Sequence, residues 1–179
     1  MFDPPTPAPA PLCPSSAAEL RTLNRQLDAQ LMALLESTSK LGGLHWQPDH
    51  DAAGELPWSS AQIVMHVGEF TRFFARHVRR WKAAPTSAVG RIHTNDERLG
   101  AVAAANESTA AELAGWLRFG CADLDDAISS LLDSDLDADT VNVKYGVEPL
   151  SSFLTRYVIG HKHGHIEQLT LVLHAIRAV

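Results

Sequence analysis

The segment that most constrains the fold lies near the C-terminus: Gly160-His161-Lys162-His163-Gly164-His165-Ile166-Glu167-Gln168, set inside an apolar run. Phe153 to Ile159 precede it and Leu169 to Leu173 follow. A run of this length predicts a helix, which turns about 100° per residue. His161 and His165 therefore stack on one face, while His163 points elsewhere. The same face carries Leu154, Val158, Leu169, Val172 and Ile176, so two imidazoles are aimed at the core. Each has two ring nitrogens to satisfy, and neither stays charged inside without a partner. A core histidine is ordinarily satisfied by a hydrogen bond, but a pair at i, i+4 is also the usual helical way to hold a metal ion. The pair alone leaves both readings open.

A third histidine bears on the choice. Trp58-Ser59-Ser60-Ala61-Gln62 has the form of a helix N-terminus with a capping box. The stripe that follows runs Ile63, His66, Val67, Phe70, Phe73, Phe74, His77 and Trp81. His66 lies inside it. His77 returns to nearly the same face but about 16 Å along the axis, too far to share an ion with His66. His163 and His174 fall on other sides of the last helix, and His45, His50 and His93 belong to loops.

Two more long helices complete the pattern. Ser16 with Glu19 predicts a capping box, followed by Leu20, Leu23, Leu27, Leu31 and Leu34 at helical spacing and a stop at Gly42-Gly43. Ser108 or Thr109 with Glu112 opens another helix, carrying Leu113, Trp116, Leu117, Leu124, Ile128 and Leu131. A short helix after Thr94, with Glu97 in capping position, is expected between them. The acidic stretch Asp123 to Asp139 reads as a solvated face and loop. Residues 133 to 150 read as a loop or short β excursion, and Pro149 and Ser151 start the last helix. Four amphipathic helices without a long alternating run make an all-α helix bundle with long connections. Connection lengths leave the order of neighbours open.

Six of the ten prolines lie within residues 1–14, which predicts a flexible, disordered tail ahead of one domain over residues 15–179. A net charge of −6 offers no basic footprint for nucleic acid or an anionic membrane. The N-terminus lacks the pattern of a signal peptide, and no apolar stretch is long enough to span a bilayer. Cys13 and Cys121 are far apart and form no CxxC pair, which fits a reducing compartment, and cytoplasmic localisation is the expectation.

His66, His161 and His165, drawn from two helices, would offer a metal three neutral nitrogen ligands and leave positions open, the arrangement of a catalytic rather than a structural site. Water there supplies hydroxide near neutral pH; a thiol binds as thiolate. Gln168 shares the face of His161, Tyr157 sits one turn before it, and Glu69 one turn after His66, so these three are the candidate helpers. Glu69 has a plainer alternative, a surface pair with Arg72 or Arg76. Gly160 and Gly164 bare a strip of backbone beside the histidines, suited to close packing or to a substrate.

Trp58-Ser59 leading to His66, then His161-x-x-x-His165-x-x-Gln168, resembles the DinB-like (YfiT-like) four-helix-bundle superfamily over nearly the whole chain after the proline tail. The resemblance implies an up-down-down-up bundle and a homodimer. It also implies a divalent ion (zinc, nickel or an iron-type metal) on His66, His161 and His165. Relatives include S-transferases and isomerases that use low-molecular-weight thiols. The sequence therefore predicts a metal-dependent enzyme acting on a small molecule, a thiol-dependent transferase or a hydrolase, with no nucleic-acid or membrane partner. The alternative is a non-enzymatic metal-binding helical module serving dimerisation or ligand sensing.

Overall fold

The described residues are mostly helical, and the first three of their four long helices each start where a polar side chain takes over an orphan backbone donor. The computed structural model describes residues 13–47, 57–91 and 95–178. The predicted tail through Leu12, the loop positions Pro48, His50 and Gly54, and His93 and Thr94 lie outside the described residues.

Helix α1 spans Ala17–Lys40, with Ser16 Oγ accepting the Glu19 N–H at 3.1 Å. The expected reciprocal box does not form. Glu19 turns instead to the backbone N–H and hydroxyl of Ser15, each at 2.7 Å, because a serine one residue earlier offers its carboxylate two donors at once. Helix α2 spans Ser60–Ala83 behind a complete Ser59/Gln62 box. Helix α4 spans Ala110–Ser129 behind a complete Thr109/Glu112 box. Between them, α3 (Asp96–Ala104) is capped by Asn95 rather than Thr94, and a 3₁₀ turn (Ala105–Glu107) follows.

The last helical stretch departs from the expected uniform α-helix. A short α6 (Leu150–Leu154) runs into a π-helical segment, Thr155–Gly160, and then into α7 (His161–Arg177). In the π segment a turn closes on i+5 instead of i+4, so face assignments counted at 100° per residue slip between Tyr157 and His161.

Helix α2 is the centre of the molecule, buried nearly all round. One face packs on α4, with which it makes its closest approach: a Cβ built on Gly120 would sit 2.6 Å from the Gly68 carbonyl oxygen. Trp116 Nε1 donates to the Met65 carbonyl at 3.0 Å beside it. The opposite face meets α7 and the π segment, where Phe74 packs on Tyr157 and Phe153. Helix α1 closes the other side against α4 and α7. There Lys162, fully buried, donates to Asn24 Oδ1 and Asp28 Oδ1, both at 2.5 Å. The acidic face of α4 is largely neutralised in place, Asp123 and Asp126 by Arg79 and Asp125 by Arg25.

The β excursion is a small three-stranded sheet packed against the end of α2. Strand β1 (Ala88–Val89) pairs in parallel with β2 (Asp139–Asn142), which pairs antiparallel with β3 (Gly146–Pro149); a short α5 (Asp133–Leu136) precedes β2. The β2–β3 turn reverses at Gly146, whose φ of +79° falls in the left-handed region. Among the described residues no helix is long and apolar enough to cross a membrane.

Candidate metal centre

Each histidine of the predicted set arrives on a well-anchored helix. His66 sits in the second turn of α2, close behind the Ser59/Gln62 box. His161 and His165 occupy the first turns of α7, directly after the π segment. One nitrogen from each of the three lies within 4.8 Å of the others. His66 Nε2 and His161 Nε2 are 3.2 Å apart. Two nitrogens bound to one tetrahedral zinc-type ion at about 2.0–2.1 Å would lie about 3.3–3.4 Å apart, so that edge is already at ligand spacing.

Aromatic rings enclose the cluster. Trp58 lies nearly parallel to His165 (interplanar 9°, centroids 6.3 Å apart) and edge-on to His66 at 5.2 Å. Phe70 supports it from below, 4.5 Å from the His161 ring. This burial is the main reason the imidazoles resist protonation. It pushes His161 down to about 2, with repulsion from His165 and His66 adding to it. Burial, then His66, brings His165 to about 4 against the opposing effect of Gln168. His66 is lowered by burial too, with Glu69 opposing. All three rings are neutral at pH 7, as ligands must be.

The proton on each ring follows from its neighbours. Gln168 Oε1 can only accept, so His165 Nδ1 carries the hydrogen of their 2.7 Å bond and Nε2 keeps its lone pair. His66 Nδ1 is 3.6 Å from Glu69 Oε2, beyond a hydrogen bond, and is a buried nitrogen without a partner among the described residues. An Nδ1–H facing that carboxylate again leaves Nε2 bare. The facing Nε2 atoms of His66 and His161 share one hydrogen at best, and a cation between lone pairs removes that conflict. The donor set therefore fits a divalent ion.

The predicted helpers fare differently. Gln168 reaches His165 rather than His161. Tyr157 lines the cavity against His66 and His161, its ring packed on Phe74. Glu69 is buried, which overturns the surface pairing with Arg72 or Arg76. It is held by Arg91 through two bonds, at 2.5 and 2.7 Å. Burial alone would raise its pKa, but the facing His66 ring and the hydrogen bonds from Arg91 outweigh that and hold it below the ordinary carboxylate range. Gly164 also reads differently: a Cβ there would meet nothing within 4 Å, so among the described residues no helix packs on it. His77 accepts from Gly90 N–H and stacks on Phe73, His45 lies against the Ser108 carbonyl, and His163 and His174 make no approach to the cluster.

Sequence reasoning did not single out Phe70 or Trp58 as walls of the site, nor Arg91, Arg98, Lys144, Tyr145 and Arg156, which line the cavity of about 240 Å³ beside it. Its four basic residues come from four separate segments, Arg91 from a loop, Arg98 from α3, Lys144 from the β2–β3 turn and Arg156 from the π segment, and no local pattern encodes their meeting. A larger cavity, about 430 Å³, lies on the α4 side of α2 and does not touch the histidines.

The family model of the DinB superfamily matches residues 23–169. No curated protein matches the chain. Among solved structures, the crystal structure of a mutant mycothiol-dependent maleylpyruvate isomerase aligns with a TM-score of 0.60 at 14% identity, over 82% of this chain and 59% of that one. At that identity the likeness is one of fold, and this chain spans 59% of the isomerase's length.

Proposed function

The chain belongs to the DinB superfamily, and within it we propose a metal-dependent enzyme that acts on a small molecule with a low-molecular-weight thiol, as an S-transferase or isomerase, or with water, as a hydrolase. The observation that carries the proposal is the cluster of three neutral imidazoles, two with Nε2 atoms 3.2 Å apart. His66, His161 and His165 would hold the ion, with zinc or nickel the first candidates and iron the next, since imidazole suits all three. Bound there, a divalent ion would act as a Lewis acid and lower the pKa of a thiol or water beside it.

The remaining chemistry falls to the chain's own side chains. Gln168 fixes the tautomer and the ring plane of His165. Glu69, itself fixed by Arg91, faces Nδ1 of His66 and stabilises that hydrogen without taking it. Tyr157 lines the cavity and would move a proton to or from the substrate. Trp58 and Phe70 exclude water from the ring edges. The thiol reading draws support from the fold shared with a mycothiol-dependent enzyme.

An up-down-down-up bundle over residues 15–179, behind a flexible tail of residues 1–14, is part of the same reading. Contacts between the helices support it. Residues 17, 21 and 25 of α1 meet 133, 129 and 125, so α1 and α4 run oppositely. Residues 65 and 79 of α2 meet 116 and 123 in α4, so those two run together. A homodimer belongs to the reading as an expectation of the family, and cytoplasmic localisation as an expectation from the cysteine usage.

Metal analysis of protein purified without a histidine tag tests it. About one divalent ion per chain is expected, lost in His165→Ala, together with thiol-dependent turnover on a panel of small electrophiles. Metal with no turnover would favour the non-enzymatic module; no metal would end the proposal.

A further inference from the structure

The cavity beside His66 and His161 is strongly basic, in a chain whose formal net charge is −6. Arg91, Arg98, Lys144 and Arg156 line it, and Glu69 and Glu148 answer part of their charge. Arg91 is committed: both terminal nitrogens bond Glu69, and one also bonds Asn95. Arg156 is not. It bonds Glu148 through Nη1 alone, while its guanidinium carbon lies over the Tyr145 ring, 4.2 Å from the ring centre. Stacking of this kind leaves the other N–H groups of the guanidinium available at its edge. Lys144 faces no carboxylate among the described residues, and its ammonium lies 5.2 Å from the same ring.

The fold anchors the turn behind Lys144 and the carboxylate beside Arg156. The buried Asn142 side chain accepts the Lys144 backbone N–H at 2.9 Å and donates to Glu148 Oε1 at 2.5 Å. The turn that carries Lys144 is thereby tied to the carboxylate that holds Arg156. The enclosed space amounts to about eight water volumes, which suits a small metabolite. Positive groups lining a confined cleft raise the local concentration of anions and steer them in.

We propose that this cavity takes a small organic carboxylate, its carboxylate held by Arg156 and Lys144 and its other end lying against His66 and His161. Only the assignment of the second end as the reacting one rests on the metal-enzyme reading; the preference for an anion stands without a metal. Arg156 would bind bidentately along its free edge, Lys144 as a point charge, and Tyr145 as a floor beneath both.

Calorimetric titration of the metal-free protein with glutarate, against its uncharged isostere glutaramide, tests the charge preference directly. Glutarate is expected to bind at least about tenfold tighter than glutaramide, with an affinity that falls as salt rises. The preference should drop at least about fivefold in Arg156→Gln and in Lys144→Gln, and stay unchanged in Lys40→Gln, which removes a charge on the distant end of α1. Should Arg156→Gln fail to fold, Lys144→Gln at the exposed turn gives the same readout. Equal binding of the two ligands overturns the proposal, and so does tighter binding of inorganic phosphate than of glutarate. A parallel titration with cobalt(II) separates the two readings: loss of cobalt binding alone counts against the metal site, and loss of glutarate preference alone against the carboxylate site.

Discussion

His66 and His161 stand 95 residues apart in the chain and bring their Nε2 atoms to 3.2 Å in a pocket sealed by Trp58 and Phe70. In the metal-free protein that contact depends on all three imidazoles staying neutral, and neutrality costs stability in acid. His161 and His165 titrate at about 2 and about 4 in the fold, against about 6.5 in the unfolded chain. Below pH 6.5 the unfolded state therefore takes up protons that the folded state refuses, so stability is full above that pH and is lost as pH falls. Each such histidine should cost about 1 kcal/mol between pH 6 and pH 5. Thermal melts of the metal-free protein across that range should show Tm falling, and His161→Ala should flatten the slope. A Tm independent of pH would mean that the rings are solvated.

Gln168 is exposed, yet its Oε1 fixes the hydrogen of His165. Replacing it with leucine removes the acceptor without opening the core. Metal affinity should fall about 10- to 100-fold while the melting temperature of the metal-free protein barely moves. Gln168→Glu, which keeps an acceptor, should restore binding. Equal affinity in Gln168→Leu and the parent would show that the contact does not orient the ring.

How far the sequence reveals this site depends on the range of the signal. The spacing of His161 and His165, and the place of His66 in an apolar stripe, are local helical facts and survive folding. Capping works at the same range, and even there Glu19 chose Ser15 over Ser16 because a better pair of donors stood one residue away. Glu69 needed a partner from a segment beyond its own helix, Arg91, which no helical periodicity points to. Lys144 and Arg156 come to the same Tyr145 ring through a strand pairing that brings Asn142 to Glu148. The π segment escaped for a different reason: a widened turn leaves the composition of a helix unchanged while altering its phase.

Glycines separate the same two ranges experimentally. Gly164 looked like a packing residue, but a Cβ there meets nothing within 4 Å, so Gly164→Ala should stabilise by up to about 1 kcal/mol through helix propensity. Gly120 drew no notice, yet its Cβ would lie 2.3 Å from Thr71 Oγ1 and 2.6 Å from the Gly68 carbonyl. Gly120→Ala should cost about 1–3 kcal/mol by forcing α2 and α4 apart. Urea denaturation of the two variants decides it, and a loss in Gly164→Ala would contradict the open space beside α7.

The ion pair between Lys162 and Asp28 joins α7 to α1, and it sets how the two helices seat against each other. Lys162 is fully buried, and its ammonium meets Asp28 and Asn24 with no solvent beside it. Removing the carboxylate alone strands a buried charge, so Asp28→Ala should cost about 3–5 kcal/mol. Taking away both charges relieves that penalty, because the attraction of a buried pair does little more than offset the desolvation of its members. Asp28→Ala combined with Lys162→Met should therefore be more stable than Asp28→Ala alone. Lys162 is also the neighbour of His161 in the chain, so the double variant separates anchoring from charge. If it recovers stability but binds metal more weakly than the parent, the pair orients the histidine face; if it recovers both, packing alone seats the helix. A double variant no more stable than Asp28→Ala would mean that the pair contributes net stability of its own.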